Sequence, residues 1–244
     1  LNKEEMLAIV HEQLAVDLNC SMAELTSEKP EFIFVEAKEN DGRRAFPRGE
    51  QYFEMLTLGN SVVVSATAER LAYAKKQLQG KTREGAYSMP FILDYSLNYL
   101  VDLHHKNSLT PPPNFTYELL EKDSIKELVN LKKFDNSLHV NEDATIQIQL
   151  SLVAKSNNQI VAVASAYNWC PTMWGLGVDV LPDYRQNGLA AYLVNRLSSE
   201  LLNRGIIPCY ETSASNLNSQ RVAIKAGFFP AWLCDRKVNF DGLI

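Results

Sequence analysis

"VDVLPDYRQNGLAAYL", residues 178–193, joins strand-like alternation to a proline, a short basic loop and a glycine followed by small and apolar residues. Pro182 has no N–H and ends any strand ladder, and Leu189, Leu193, Leu197 and Leu201 then recur every fourth residue, which predicts a helix opening near Gly188. Gly205 is placed to end it, and "IIPCYETS" (206–213) reads as the next strand. At the first turn of such a helix several N–H groups lack an intrahelical acceptor and converge with partial positive charge. With Arg185 adding a full charge and Gly188 and Ala190 leaving a thin wall, the loop fits a phosphate or pyrophosphate. The alternative is a tight turn eased by Gly188, with Arg185 a surface residue. Neither the G-x-x-x-x-G-K-[ST] nor the G-x-G-x-x-G spacing occurs here.

Upstream, "SLVAKSNNQIVAVASAYN" (151–168) is two β-rich runs around Asn157-Asn158, and asparagine tolerates the positive φ of a tight hairpin. "MWGLGVDVL" (173–181) supplies a third strand, so a three-stranded meander precedes the loop. "FTYELL" (115–120) reads as a strand and "SIKELVNLKKF" (124–134) as a helix with Ile125, Leu128, Val129 and Leu131 inward. Three consecutive prolines in "HHKNSLTPPPNF" (104–115) deny the chain both helix and ladder hydrogen bonds. The expected division is an α/β domain over 1–110, a linker over 111–114 and a second α/β domain over 115–244. In the first, apolar spacing predicts a helix over 4–18, strands over 32–37 and 61–66, a helix capped by Thr67 and closed by Gly80, and a helix from Pro90 with Leu93, Leu97 and Val101 in register.

The 244 residues are 46% hydrophobic, enough for real cores, and the net charge of −5 disfavours a nucleic-acid partner. The one basic knot, Arg43, Arg44 and Arg48, reads as a solvated loop. No apolar run approaches the ~20 residues of a membrane span, and no basic-then-apolar leader opens the sequence. A cytoplasmic protein with no membrane partner is expected. Cys20, Cys170, Cys209 and Cys234 are widely spaced, without a zinc-ligand pattern, and read as free thiols. No metal is expected, and His104 and His105 carry no ligand spacing.

Arg185-x-x-Gly188-x-Ala190 after a strand ending V-x-V-x-P resembles motif A of the GNAT acetyltransferase superfamily. "NLNSQRVAIKAGFF" (216–229) resembles that family's later motif, an asparagine before a helix that ends in Gly-Phe, met by Asn216, Gly227 and Phe228. Read from the residues, Asn216 is a good N-cap and Gly227 a helix stop. The resemblance covers about 115–244, and "IPCYETSASNLNSQRVAIKAGF" (207–228) is similar to a two-domain branch that includes the zwittermicin-resistance acetyltransferase.

The resemblance implies a GNAT fold, a mixed and mostly antiparallel sheet whose central strands splay around acetyl-CoA. It implies pantetheine contacts at Val178 and Val180, and pyrophosphate contacts at Arg185, Gln186, Asn187, Gly188, Leu189 and Ala190. Asn216 and Ser219 would touch the cofactor from the other side. The co-substrate is then acetyl-CoA and the acceptor a small amine, while a homodimer stays open. A carboxylate can deprotonate the incoming ammonium directly or through water, and Glu211 and Asp179 are the candidates. The family's usual acid is a tyrosine four residues before Gly-Phe. Here that position is Ala223, which leaves Tyr210, Tyr192 or water. Two other readings compete with catalysis: an acyl-CoA sensor without turnover, and aminoacyl transfer from a charged tRNA, which the acidic balance disfavours.

Overall fold

The computed structural model describes residues 1–44, 52–104, 108–128, 131–138 and 147–242, with Arg48, His105 and Val129 outside the described residues. The chain divides into two compact units. An N-terminal unit holds Asn2–Asn98, Thr212–Asn216 and Pro230–Ile244, and a C-terminal unit holds Tyr99–Glu211 and Leu217–Phe229 with Leu1.

The N-terminal unit opens with α1 (Lys3–Leu18), capped by a reciprocal pair in which Asn2 and Glu5 each accept the other's backbone N–H. Then follow α2 (Met22–Leu25), β1 (Phe32–Glu36), β2 (Phe53–Thr57), β3 (Val62–Ala66), α3 (Ala68–Leu78), α4 (Arg83–Tyr87) and β4 (Ile92–Val101). Thr67 occupies the N-cap of α3 without a side-chain capping bond, and Gly80 lies beyond its end at φ 72°. β1 pairs parallel with β3, which pairs antiparallel with β2. Phe53, Met55, Val64, Leu71, Phe91 and Phe240 form the unit's core.

The helix expected from Pro90 is instead the strand β4. A spacing of four, as in Leu93, Leu97 and Val101, also puts residues on one face of a strand, since four is a multiple of its period of two. The intervening Tyr95 and Tyr99 favour the strand.

In the C-terminal unit β5 (Thr116–Glu121), β6 (Ile148–Ser156), β7 (Gln159–Asn168) and β8 (Met173–Val180) run as an antiparallel meander. α5 (Leu189–Asn203) then crosses to β9 (Ile207–Ser213), which pairs parallel with β8. After it come α6 (Leu217–Lys225) and β10 (Phe228–Val238), whose residues from Pro230 onward belong to the N-terminal unit. Asn157 and Asn158 take φ of 49° and 64°, as the expected hairpin turn requires.

The helix expected over 124–134 is a 3-10 segment at Lys122–Glu127. Lys133 stands at φ 76°, a value that no α-helix carries, and Phe134 and Leu138 close a separate turn into the core with Leu128, Val153 and Val163. Leu189, Leu193, Leu197 and Leu201 of α5 are buried, as their spacing predicts. No helix among the described residues is long and apolar enough to cross a membrane.

Candidate active site

Ile207 N–H donates to the Thr172 carbonyl at 2.8 Å, and Leu181 N–H donates to the Val161 carbonyl at 2.9 Å. Backbone groups alternate along a strand, so those of Trp174, Leu176, Val178 and Val180 face the β9 side and those of the odd-numbered residues face β7. Pairing with β9 covers Met173–Ile207, Trp174–Pro208, Gly175–Cys209 and Leu176–Tyr210, and it ends there. β8 runs on to Val180 bonded to β7 alone. The two parallel strands therefore splay after Leu176 and Tyr210. The exposed edge presents the backbone of Val178 and of Val180, whose carbonyl accepts from Arg185 Nε at 3.1 Å.

The loop beyond β8 begins with a 3-10 turn, Pro182–Tyr184. Gln186 and Gly188 both take positive φ, 66° and 80°. A left-handed glutamine is uncommon, and nothing in the residue pattern announced it. Asn187 Nδ2 donates to the Tyr184 carbonyl at 3.1 Å and steadies the bend. Gly188 is the N-cap of α5, and the first helical bond is Tyr192 N–H to its carbonyl at 3.0 Å. The N–H groups of Leu189, Ala190 and Ala191 precede that bond and have no intrahelical acceptor. The Leu189 side chain is buried in the core, so only its N–H can serve the loop.

A Cβ built on Gly188 would meet only Pro112 Cγ at 3.9 Å and Lys225 Nζ at 4.0 Å. Open volume, a convergent helix terminus and an ammonium thus stand together. Lys225, at the end of α6, is a cation at this loop that the sequence reading missed, because it lies 37 residues downstream of Gly188. Pro112 comes from the proline run, which is held here by Tyr117 Oη donating to its carbonyl at 2.9 Å and by Tyr192 packed on the Tyr117 ring at 4.7 Å. Tyr192 is thereby committed to packing.

Paired residues of adjacent strands share a face, so Tyr210 lies on the face of Leu176 and Glu211 on the face of Gly175, Gly177 and Asp179. The Tyr210 hydroxyl is 2.8 Å from Ser219 Oγ, which brings α6 to its face. Burial pushes the Tyr210 phenol above the ordinary tyrosine value, an effect partly offset by Ser219. Ala223, one turn after Ser219, is fully buried. Glu211 is exposed and stands one residue past the last β8–β9 pair. Cys209 is buried and structural.

Asp179 does not face the gap as an open carboxylate. It accepts from Asn136 N–H at 2.8 Å, Asn136 Nδ2 at 2.6 Å and Ser137 N–H at 2.8 Å, with Ser137 Oγ at 3.0 Å. Asn216, directly before α6, belongs to the N-terminal unit, and its N–H donates to the Ser213 carbonyl at 3.0 Å.

Residues 149–231 match the family model of the GNAT acetyltransferases. Over that third of its length the chain is similar to the GNAT acetyltransferases. The matched segment holds the meander from β6, the splayed β8–β9 pair, the Gly188 loop and α6. Similar solved structures include a GNAT-family acetyltransferase of Colwellia psychrerythraea, 14% identical, TM-score 0.45, with 60% of this chain aligned to 56% of that one. Another is an N-acetyltransferase-like protein of Streptococcus suis, 19% identical, TM-score 0.45, with coverages of 72% and 71%. A third is an aminoglycoside N-acetyltransferase in complex with CoA, 23% identical, TM-score 0.38, with coverages of 54% and 97%. The chain thus spans little over half of the Colwellia protein. No curated protein matches the chain.

Proposed function

We propose that the GNAT segment transfers an acetyl group from acetyl-CoA to the primary amine of a small molecule, by direct attack in a ternary complex. The observation that carries the reading is the end of β8–β9 pairing at Leu176–Tyr210, with an open glycine N-cap at the far end of the freed strand. The residues present fit the group: a pyrophosphate suits the N–H groups from Gly188 to Ala190 with the Lys225 ammonium beside them, and a pantetheine amide suits the unpaired edge from the Val178 carbonyl to the Val180 N–H. Acetyl-CoA supplies an acetyl thioester whose sulfur leaves as a thiolate.

The protein's part divides between the two faces of the gap. Glu211 takes a proton from the incoming ammonium on the glycine face. Tyr210 Oη, hydrogen-bonded to Ser219, holds a proton on the α6 face, where the sulfur departs. The Val178 N–H lies on the edge between them and donates to the carbonyl oxygen as charge develops there. This arrangement replaces the family tyrosine, absent at Ala223, with one from the neighbouring strand.

The similarity of 207–228 to the zwittermicin-resistance branch supports an acceptor of the amino-polyol kind. The buried Ala223 favours a second reading, a CoA sensor without turnover. Release of CoA thiol from acetyl-CoA, measured with aminoglycosides, polyamines and amino-polyols, separates the two. Transfer requires release at least tenfold above background with one amine class. Desulfo-CoA binding without release on any amine would leave the sensor.

A further inference from the structure

A turn crosses β8 at the place where the pairing register would next put Glu211. Leu176–Tyr210 is the last pair, so Gly177 is the residue that stands opposite Glu211 across the opening gap. A Cβ on Gly177 would fall 2.1 Å from the Asn136 carbonyl oxygen and 3.3 Å from Ser137 Cα, so the turn lies directly on the strand backbone. Only glycine leaves room for it. Two residues earlier, a Cβ on Gly175 would fall 2.2 Å from Trp169 Cε2, so the indole covers the same face beside the turn.

The turn is held at three levels. Phe134 and Leu138 anchor its ends in the core. Asp179 takes the two N–H groups and the side chains of Asn136 and Ser137 on one carboxylate. Tyr167 Oη donates to the Asn136 carbonyl at 3.2 Å. All four of these donors converge on the Asp179 carboxylate. Its geometry is that of a latch.

We infer that the turn 134–138, latched by Asp179 and seated on Gly177, is the wall that screens the acetyl carbon from water beside Gly177 and limits the amines that reach the exposed Glu211. Asp179 is then a positioning residue, acting through Asn136 and Ser137. The inference rests on the acetyl-transfer reading. If the wall opens, water competes with the amine: its oxygen bonds to the acetyl carbon, the C–S bond breaks, one water proton passes to the sulfur and the other to solvent, and acetate and CoA thiol leave.

The test is release of CoA thiol from acetyl-CoA without any amine, beside calorimetric titration with desulfo-CoA. Asp179→Asn keeps the shape but loses acceptors, and Gly177→Ala displaces the turn while leaving Asp179 intact. Both variants are expected to raise amine-independent release at least fivefold, with the desulfo-CoA Kd within twofold of the parent and faster amide exchange at Asn136 and Ser137. General destabilisation would lower release and binding together, so it cannot imitate this result. Release unchanged or lower in a folded Asp179→Asn protein that still binds desulfo-CoA overturns the inference alone. Failure of the parent protein to bind desulfo-CoA removes the acetyl-transfer reading itself, and the inference with it.

Discussion

Gly188→Glu puts a carboxylate where the proposed function needs a pyrophosphate. Gly188 sits at φ 80°, so any side chain there costs about 1–2 kcal/mol of backbone strain. The space itself accepts a side chain: its Cβ meets Pro112 Cγ and Lys225 Nζ only at ordinary contact distances, 3.9 and 4.0 Å. The protein should therefore fold. A carboxylate about 5 Å from one phosphate charge, at an effective dielectric of about 20, is repelled by roughly 3 kcal/mol. It also draws Lys225 away from the ligand. A loss of about 100-fold in affinity follows. Calorimetric titration with desulfo-CoA reads it, and Gly188→Gln separates bulk from charge, with a smaller loss of about tenfold expected. Unchanged desulfo-CoA affinity in Gly188→Glu would refute the loop's assignment.

Three further outcomes are expected. Glu211→Gln should lower kcat/KM for the amine at least tenfold at neutral pH, with less effect at higher pH as the amine arrives already neutral; a uniform loss across pH would count against Glu211 as the base. Tyr210→Phe should lower kcat tenfold or more while leaving desulfo-CoA binding within twofold, and in the parent enzyme no alkaline limb from Tyr210 should appear below the ordinary tyrosine range, because burial raises its pKa. In the N-terminal unit, desolvation and then the nearby Glu54 push Asp235 well above the usual carboxylate range while it accepts the Met55 N–H. Its contribution is therefore complete below about pH 3.9 and is lost as pH rises through the folded value. Asp235→Asn should raise Tm by a few degrees at pH 7.5 and change it little near pH 4, as scanning calorimetry would show; an equal fall at both pH values would contradict the assignment.

The geometry of the loop and helix start could be read in the sequence because its signals are local. Pro182, Gly188 and the four-residue leucine spacing mark the end of a strand and the start of a helix within one stretch, and Asn157-Asn158 specifies its own turn. What stayed hidden depends on contacts between distant segments. Lys225 reaches the loop from the end of another helix, and the role of Asp179 as a latch depends on a turn more than forty residues upstream. The same limit explains β4: a spacing of four fits both periodicities, and only the partners across the sheet decide between them. Lys133 shows the other kind of failure, since a left-handed lysine interrupts a run whose apolar spacing is helical.

In the proposed function the freed edge of β8 and the Gly188 loop hold acetyl-CoA between two faces of a splayed sheet. A crystal structure with CoA bound is the decisive experiment. The pyrophosphate is expected on the N–H groups from Gly188 to Ala190, within reach of Lys225 Nζ, and the pantetheine amide against the Val178 backbone, with the sulfur toward Tyr210. CoA bound elsewhere, or β8 and β9 paired past Leu176–Tyr210 with CoA present, would contradict it.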